Sequence, residues 1–89
     1  MDGGELARAF GEVVRAERTR RGFSQEGFAD HVGVHRTYMG LVERGRNVVT
    51  ILTARKIADG LDVPMSELFR LLERRMASGE EPPGGREPS

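Results

Sequence analysis

The segment Gln25 to Arg44 restricts this chain more than any other. Counting from Gln25, apolar side chains fall at Phe28, Val32, Val34, Met39 and Val42, with the small Ala29 and the hinge-like Gly33 between them. That rhythm suits two short helices that cross closely and share one core. A bulky residue at Ala29 would wedge the helices apart. A side chain at Gly33 would strain a turn that favours positive φ. A generic helical hairpin could share the apolar rhythm, but not the joint placement of Ala29, Gly33 and the five apolar positions. The segment therefore reads as a helix-turn-helix.

The flanking sequence supplies more helices and no strand pattern. Leu6, Phe10, Val13 and Val14 mark a first helix that ends before Gly22. Ser24 is placed to cap a second, Gln25 to Val32, closed by Gly33. A third runs from about Arg36 to Arg44. Thr50 can cap a fourth, with Ile51, Ala54, Ile57, Ala58 and Leu61 on one face, and Pro64 suits the first turn of a fifth carrying Met65, Leu68, Phe69, Leu72 and Met76. The expected organisation is a flexible start over 1–5, an all-α five-helix domain over 6–76 and a disordered tail over 77–89, whose SGEEPPGGREPS run is too poor in apolar residues to offset its ordering entropy.

Eighty-nine residues allow one domain with a small core. There is no cysteine, so disulfides, thiolate metal sites and cysteine nucleophiles are excluded. No apolar run approaches the roughly 20 residues needed to span a bilayer, and Met1 to Glu5 lacks the pattern of a secretory signal. A cytoplasmic protein with no membrane partner is expected. The net charge is zero, yet Arg15 to Asn47 holds seven arginines against four acids, while the tail from Ala77 holds three acids and one arginine. A local basic face matters more to a polyanion than the total does.

Burying the apolar positions leaves His35, Arg36, Thr37, Gly40, Leu41 and Arg44 facing outward on the third helix. An arginine can donate two hydrogen bonds to guanine O6 and N7, and threonine can bond a base or phosphate while its methyl packs on thymine. Gly40 would let the helix approach a major groove closely. Leu41 suits thymine methyls or, equally, packing against the fourth helix.

The stretch from Phe10 to Phe69 resembles the Cro/CI-type (XRE) DNA-binding family through RRGFSQEGFADHVGV, RTYMGLVERGRN and KIADGLDVPMSELF. The segment HRTYMGLVERGRN is similar to the controller proteins of restriction-modification systems. The resemblance implies a lambda-repressor-like fold and a transcriptional regulator that binds a double-stranded DNA operator. It implies base reading by Arg36, Thr37 and Arg46, to which the outward surface adds Gly40 and Leu41. It places Gln25 on a phosphate, with Ser24, His35, Tyr38, Arg44 and Asn47 as further backbone or flanking contacts. It also implies an ion pair between Arg18 and Glu43. Two departures stand out. Gly27 occupies the N3 position where the family often has a glutamate that closes a capping box, and Val48 and Val49 replace a proline common before the fourth helix.

Other chemistries find little support. His31 and His35 have a ligand-like spacing, but the Gly33 turn separates them and no third ligand is near. No serine has an interpretable histidine–acid pair, and no glycine pattern follows a strand. No enzyme activity, cofactor, metal or small-molecule substrate is expected. Met65, Leu68 and Phe69 are expected to serve the core, while Leu72 and Met76, with Leu71 beside them, continue the fifth helix's apolar stripe beyond what a small domain can cover. This points to a homodimer interface of Leu68, Leu71, Leu72 and Met76. The rivals are a phage-type repressor, the antitoxin of a toxin–antitoxin pair, or a protein-interaction module that has lost DNA binding.

Overall fold

The computed structural model describes residues 3–78, and every regular element among them is helical. They are α1 (Gly3–Arg20), α2 (Gln25–Val32), α3 (Arg36–Glu43), α4 (Ile51–Leu61) and α5 (Met65–Ala77). None is long and apolar enough to cross a membrane. The start of α1 corrects the expectation of a flexible lead, since Gly3 to Glu5 already form its first turn. Glu5 favours this, placing an acid at the positive end of the helix dipole. At the other end, Ala77 completes α5 and Ser78 closes it. The rest of the expected tail, 79–89, lies outside the described residues.

The short helices are fixed by their caps. Ser24 accepts a hydrogen bond from the Gly27 amide, so the N-cap of α2 works although Gly27 supplies no return carboxylate. Thr50 accepts from the Thr53 amide at the start of α4. Gly33 ends α2 in the left-handed region at φ 81°, which a glycine adopts without steric cost.

One core joins all five helices. Phe10, Val13 and Val14 of α1 meet Phe28, Ala29 and Val32 of α2, Met39 and Val42 of α3, Ile57, Ala58 and Leu61 of α4, and Leu68 of α5. α1 lies against α3, α4 and α5, and α2 lies against α3 and α4. Apolar periodicity set the phase of three elements wrongly at their edges. Ile51 was expected on the inner face of α4 but is 69% exposed, lining an open groove with Leu6, Val48 and Phe69 rather than entering the core. Leu6 is also 39% exposed, and Ala7 and Ala9 are buried in its neighbourhood of α1. In α5, Leu68 is fully buried and Phe69, expected in the core, is 37% exposed.

Glu17 anchors the end of α1. Its carboxylate receives hydrogen bonds from Arg20 and Arg21, and Arg21 reaches on to the Leu61 carbonyl at the end of α4. Burial alone would raise the Glu17 pKa, but the two guanidinium donors outweigh it and hold the carboxyl below its usual 4.5. A depressed carboxyl stabilises the fold above its unfolded value and loses that contribution as pH falls through the folded one. Glu17→Gln is therefore expected to cost about 0.5 kcal/mol at pH 7, and the difference should shrink below about pH 4. Thermal melts of both proteins across pH 3–7 check this; a difference that grows in acid would contradict it.

Candidate nucleic-acid interface

The geometry of α3 is set by one polar junction. Arg18 of α1 donates through Nε and Nη2 to the two carboxylate oxygens of Glu43 at 2.6 and 2.9 Å, and through Nη1 to the Phe23 carbonyl. Gln25 adds a bond from its side-chain amide to Glu43 Oε1 at 3.0 Å. The Glu43 hydrogen bond raises the Arg18 pKa against the opposing effect of burial. The pairing expected between Arg18 and Glu43 is thus present, and its two parallel bonds hold the angle of α3 rigidly. Such a pair fixes geometry more surely than it adds stability.

The opposite face of α3 is open. His35 caps the helix, its Nδ1 accepting from the Thr37 amide at 3.0 Å, so the ring's other nitrogen points away from that bond. Arg36 and Thr37 follow, both exposed, and Arg44 and Arg46 stand exposed at the far end. Tyr38 is half-buried and packs on the core, leaving only part of its ring outside. Leu41 is half-exposed. Val34 is likewise half-buried against the core, while Ala29, Met39 and Val42 are fully buried.

Gly40 is not on the open surface. It lies buried beneath the side chains of Gln25 and Arg44, whose atoms stand 3.3 Å from where its Cβ would be. Counting positions along a helix does not reveal this, because two long neighbours cover a residue that has no side chain of its own. Asn47 is half-buried in the loop after α3.

Arg8 is a residue that sequence reasoning missed. The α1 backbone crosses Gly45 so closely that a Cβ there would lie 2.7 Å from Arg8 Cγ and 2.8 Å from its Cα. Arg8 is exposed and so borders the Arg44–Gly45–Arg46 run. Among the described residues, none of Arg8, Arg44 and Arg46 forms an ion pair, whereas Arg18, Arg20, Arg21, Arg36, Arg55, Arg70 and Arg75 all do. Three uncompensated cations thus collect at one end of α3. The only signal in the sequence was the charge of Arg8, since its neighbours lie far along the chain.

The expected dimer residues divide. Leu68 cannot take part, being sealed in the core. Leu71 and Leu72 are half-buried against that core, and Met76 is half-buried near the end of α5. Among the described residues, the large exposed apolar side chains are instead Leu6, Val48, Ile51, Leu52 and Phe69. Leu6, Val48, Ile51 and Phe69 line a groove of about 200 Å³ together with Leu72, and no charged residue among those described lines it. Val49, in the same loop, turns inward onto the core.

The histidines do not form a metal site. His31 stacks on Phe23 with ring centroids 4.9 Å apart, while His35 serves as the cap, and the described residues contain no cluster of three metal-ligating side chains.

Comparison with known proteins places this arrangement. The helix-turn-helix domain family matches residues 9–72. The control protein C.MunI of Mycoplasma is 38% identical over 61 residues, covering 68% of this chain and 80% of its own. The control protein C.SmaI of Serratia marcescens is 36% identical over 65 residues, covering 73% and 77% respectively. The crystal structure of the restriction-modification controller C.AhdI from Aeromonas hydrophila is 39% identical and superposes with a TM-score of 0.73, covering 78% of this chain and all of its own. With five helices in the same arrangement and a family match over most of its length, the chain belongs to the helix-turn-helix domain family of Cro/CI (XRE) type, a family of DNA-binding transcriptional regulators.

Proposed function

We propose that the protein binds, as a homodimer, an operator of two half-sites, and that it controls the expression of a restriction-modification system. The observation that carries DNA reading is the open face of α3. Arg36 and Thr37 stand at the helix start, where a recognition helix meets base edges, and Arg8, Arg44 and Arg46 stand unpaired at its end, where phosphates would pass. Ser24 and Gln25 flank this face from the start of α2, with Tyr38 and Asn47 at its margins. Leu41, half-exposed beside Thr37, offers an apolar surface to a thymine methyl.

The homodimer rests on the groove between α1, the α3–α4 loop and α5, whose described lining is apolar or uncharged. A surface without charge is unsuited to a polyanion, and a twofold axis through it would set an apolar patch against itself. Two recognition helices joined in that way could meet successive major grooves about 34 Å apart. The controller role rests on C.MunI, C.SmaI and C.AhdI, two named as control proteins and one as a restriction-modification controller.

Selection of bound duplexes from a random DNA pool tests the proposal. A two-half-site motif is expected, and nonspecific recovery would overturn it. On the selected site, Arg36→Ala is expected to lose about 1–3 kcal/mol and relax the preference at one base pair, because bidentate readout carries discrimination. A panel of single-base variants reads this directly. Unchanged base preferences would remove Arg36 from the reading surface.

A further inference from the structure

The side chain proposed to read bases already has an acidic partner. Arg36, the first residue of α3, forms an ion pair through Nη1 with Oε2 of Glu26 at 2.9 Å. Glu26 is the second residue of α2, so the pair ties together the beginnings of the two helices that form the helix-turn-helix. The two side chains are 63% and 67% exposed. A pair so open to water adds little to folding, because solvent screens it and two long side chains must be ordered to make it. Its effect falls on whatever approaches the surface it occupies.

A carboxylate there has two consequences of opposite sign. It repels phosphates, and it does so for every DNA sequence alike. It also sets a counter-charge against Nη1 of Arg36, which biases where the guanidinium lies and leaves Nε and Nη2 turned to no acid among the described residues. Those two donors match the O6 and N7 acceptors of guanine. A guanidinium held in one orientation loses less freedom on meeting the right base than a free one does. Specificity is a difference between affinities, and an element that penalises all DNA while favouring one base raises that difference.

Resting on the reading of Arg36 as a base contact, we propose that Glu26 is a positioning residue that sets the sequence discrimination of the protein: it orients Arg36 for guanine and lowers affinity for DNA in general. Glu26 sits in the first turn of α2, where a carboxylate is favoured by the exposed backbone amides.

The test is Glu26→Gln in the full-length protein, which keeps shape and removes charge. Three duplexes are titrated: the site selected by the wild type, the same site changed at the base pair that Arg36→Ala identifies, and a scrambled duplex. Glu26→Gln should bind the scrambled duplex about threefold more tightly, since a repulsive charge is gone. Its preference for the selected site over the single-base variant should fall about tenfold, part of what a bidentate contact supplies. Its melting temperature should fall by no more than about 5 °C, the loss of one favourable charge at a helix start, so the fold is kept. In the Arg36→Ala background, Glu26→Gln should still raise affinity for the scrambled duplex but leave the preference where it was. An unchanged preference in the wild-type background overturns the proposal. So does an equal fall in the Arg36→Ala background, which would mean that Glu26 acts without Arg36. A wild type that prefers no duplex overturns the DNA-reading function itself, and is thereby distinct from failure of the Glu26 role alone.

Discussion

Ile51→Glu is expected to give a folded monomer whose affinity for a two-half-site operator falls by about two orders of magnitude. Ile51 is 69% exposed at the first position of α4, immediately after the Thr50 cap, so the protomer loses almost no buried surface. A glutamate at a helix start is favoured by the dipole, which protects the fold further. The dimer fares differently. Val48 is 76% exposed beside Ile51, and Phe69 closes the other wall of the groove. Burying one isoleucine contributes roughly 1.5–3 kcal/mol, and a twofold axis counts it twice. Two carboxylates facing each other across that axis add a desolvation penalty. Half-sites bound one at a time lose the gain from tethering, so operator affinity follows dimerisation down. Sedimentation equilibrium, circular dichroism and titration of the selected duplex decide the matter. A variant that stays dimeric would move the interface elsewhere, for instance to Met76 at the end of α5. Leu72→Glu is a poorer probe, because Leu72 packs on the core and its loss would confuse unfolding with dissociation.

Much of the scaffold was legible because its causes are local or tied to a fixed spacing. Ser24, Thr50 and Gly33 act within one turn of their own positions, and the structure shows each doing so. The pair between Arg18 and Glu43 was implied by the family pattern rather than by any periodicity, and the two bonds are present. What was not legible depends on how helices rotate against one another. The apolar residues of α5 form a stripe from Met65 to Met76, but its width does not say which edge faces inward. The fold turns Leu68 fully into the core, which removes it from any interface, and leaves Phe69, expected in the core with it, at the rim. Gly40 was misplaced because its cover comes from Gln25 and Arg44 rather than from itself. Arg8 beside Gly45, and Glu26 against Arg36, are contacts between separate elements with no sequence spacing to announce them.

Gly11 shows the same blindness with the largest consequence for stability. It lies in the interior of α1, where a change to alanine would ordinarily help the helix by about 1 kcal/mol. Here a Cβ would run into the Val42 carbonyl oxygen and stand 2.7 Å from that of Glu43. Both obstacles are backbone at the end of α3, so no side chain can swing aside. The helices must separate, and the Arg18–Glu43 bonds, which cross the same contact, must stretch with them. Overpacking of this kind costs about 1–3 kcal/mol and more where backbone must move, which outweighs the propensity gain. Gly11→Ala is expected to lower stability by about 3 kcal/mol net, a fall of roughly 12–24 °C in melting temperature for a domain of this size. Gly3→Ala is the matched control, since nothing lies within 4 Å of its Cβ position in the same helix, and it should leave the melt unchanged or raise it. Calorimetry on the pair separates the contact from helix propensity. Equal melting of Gly11→Ala and the wild type would mean that α1 can lift away from α3 at no cost, and that the angle of α3 is not fixed where Gly11 meets it.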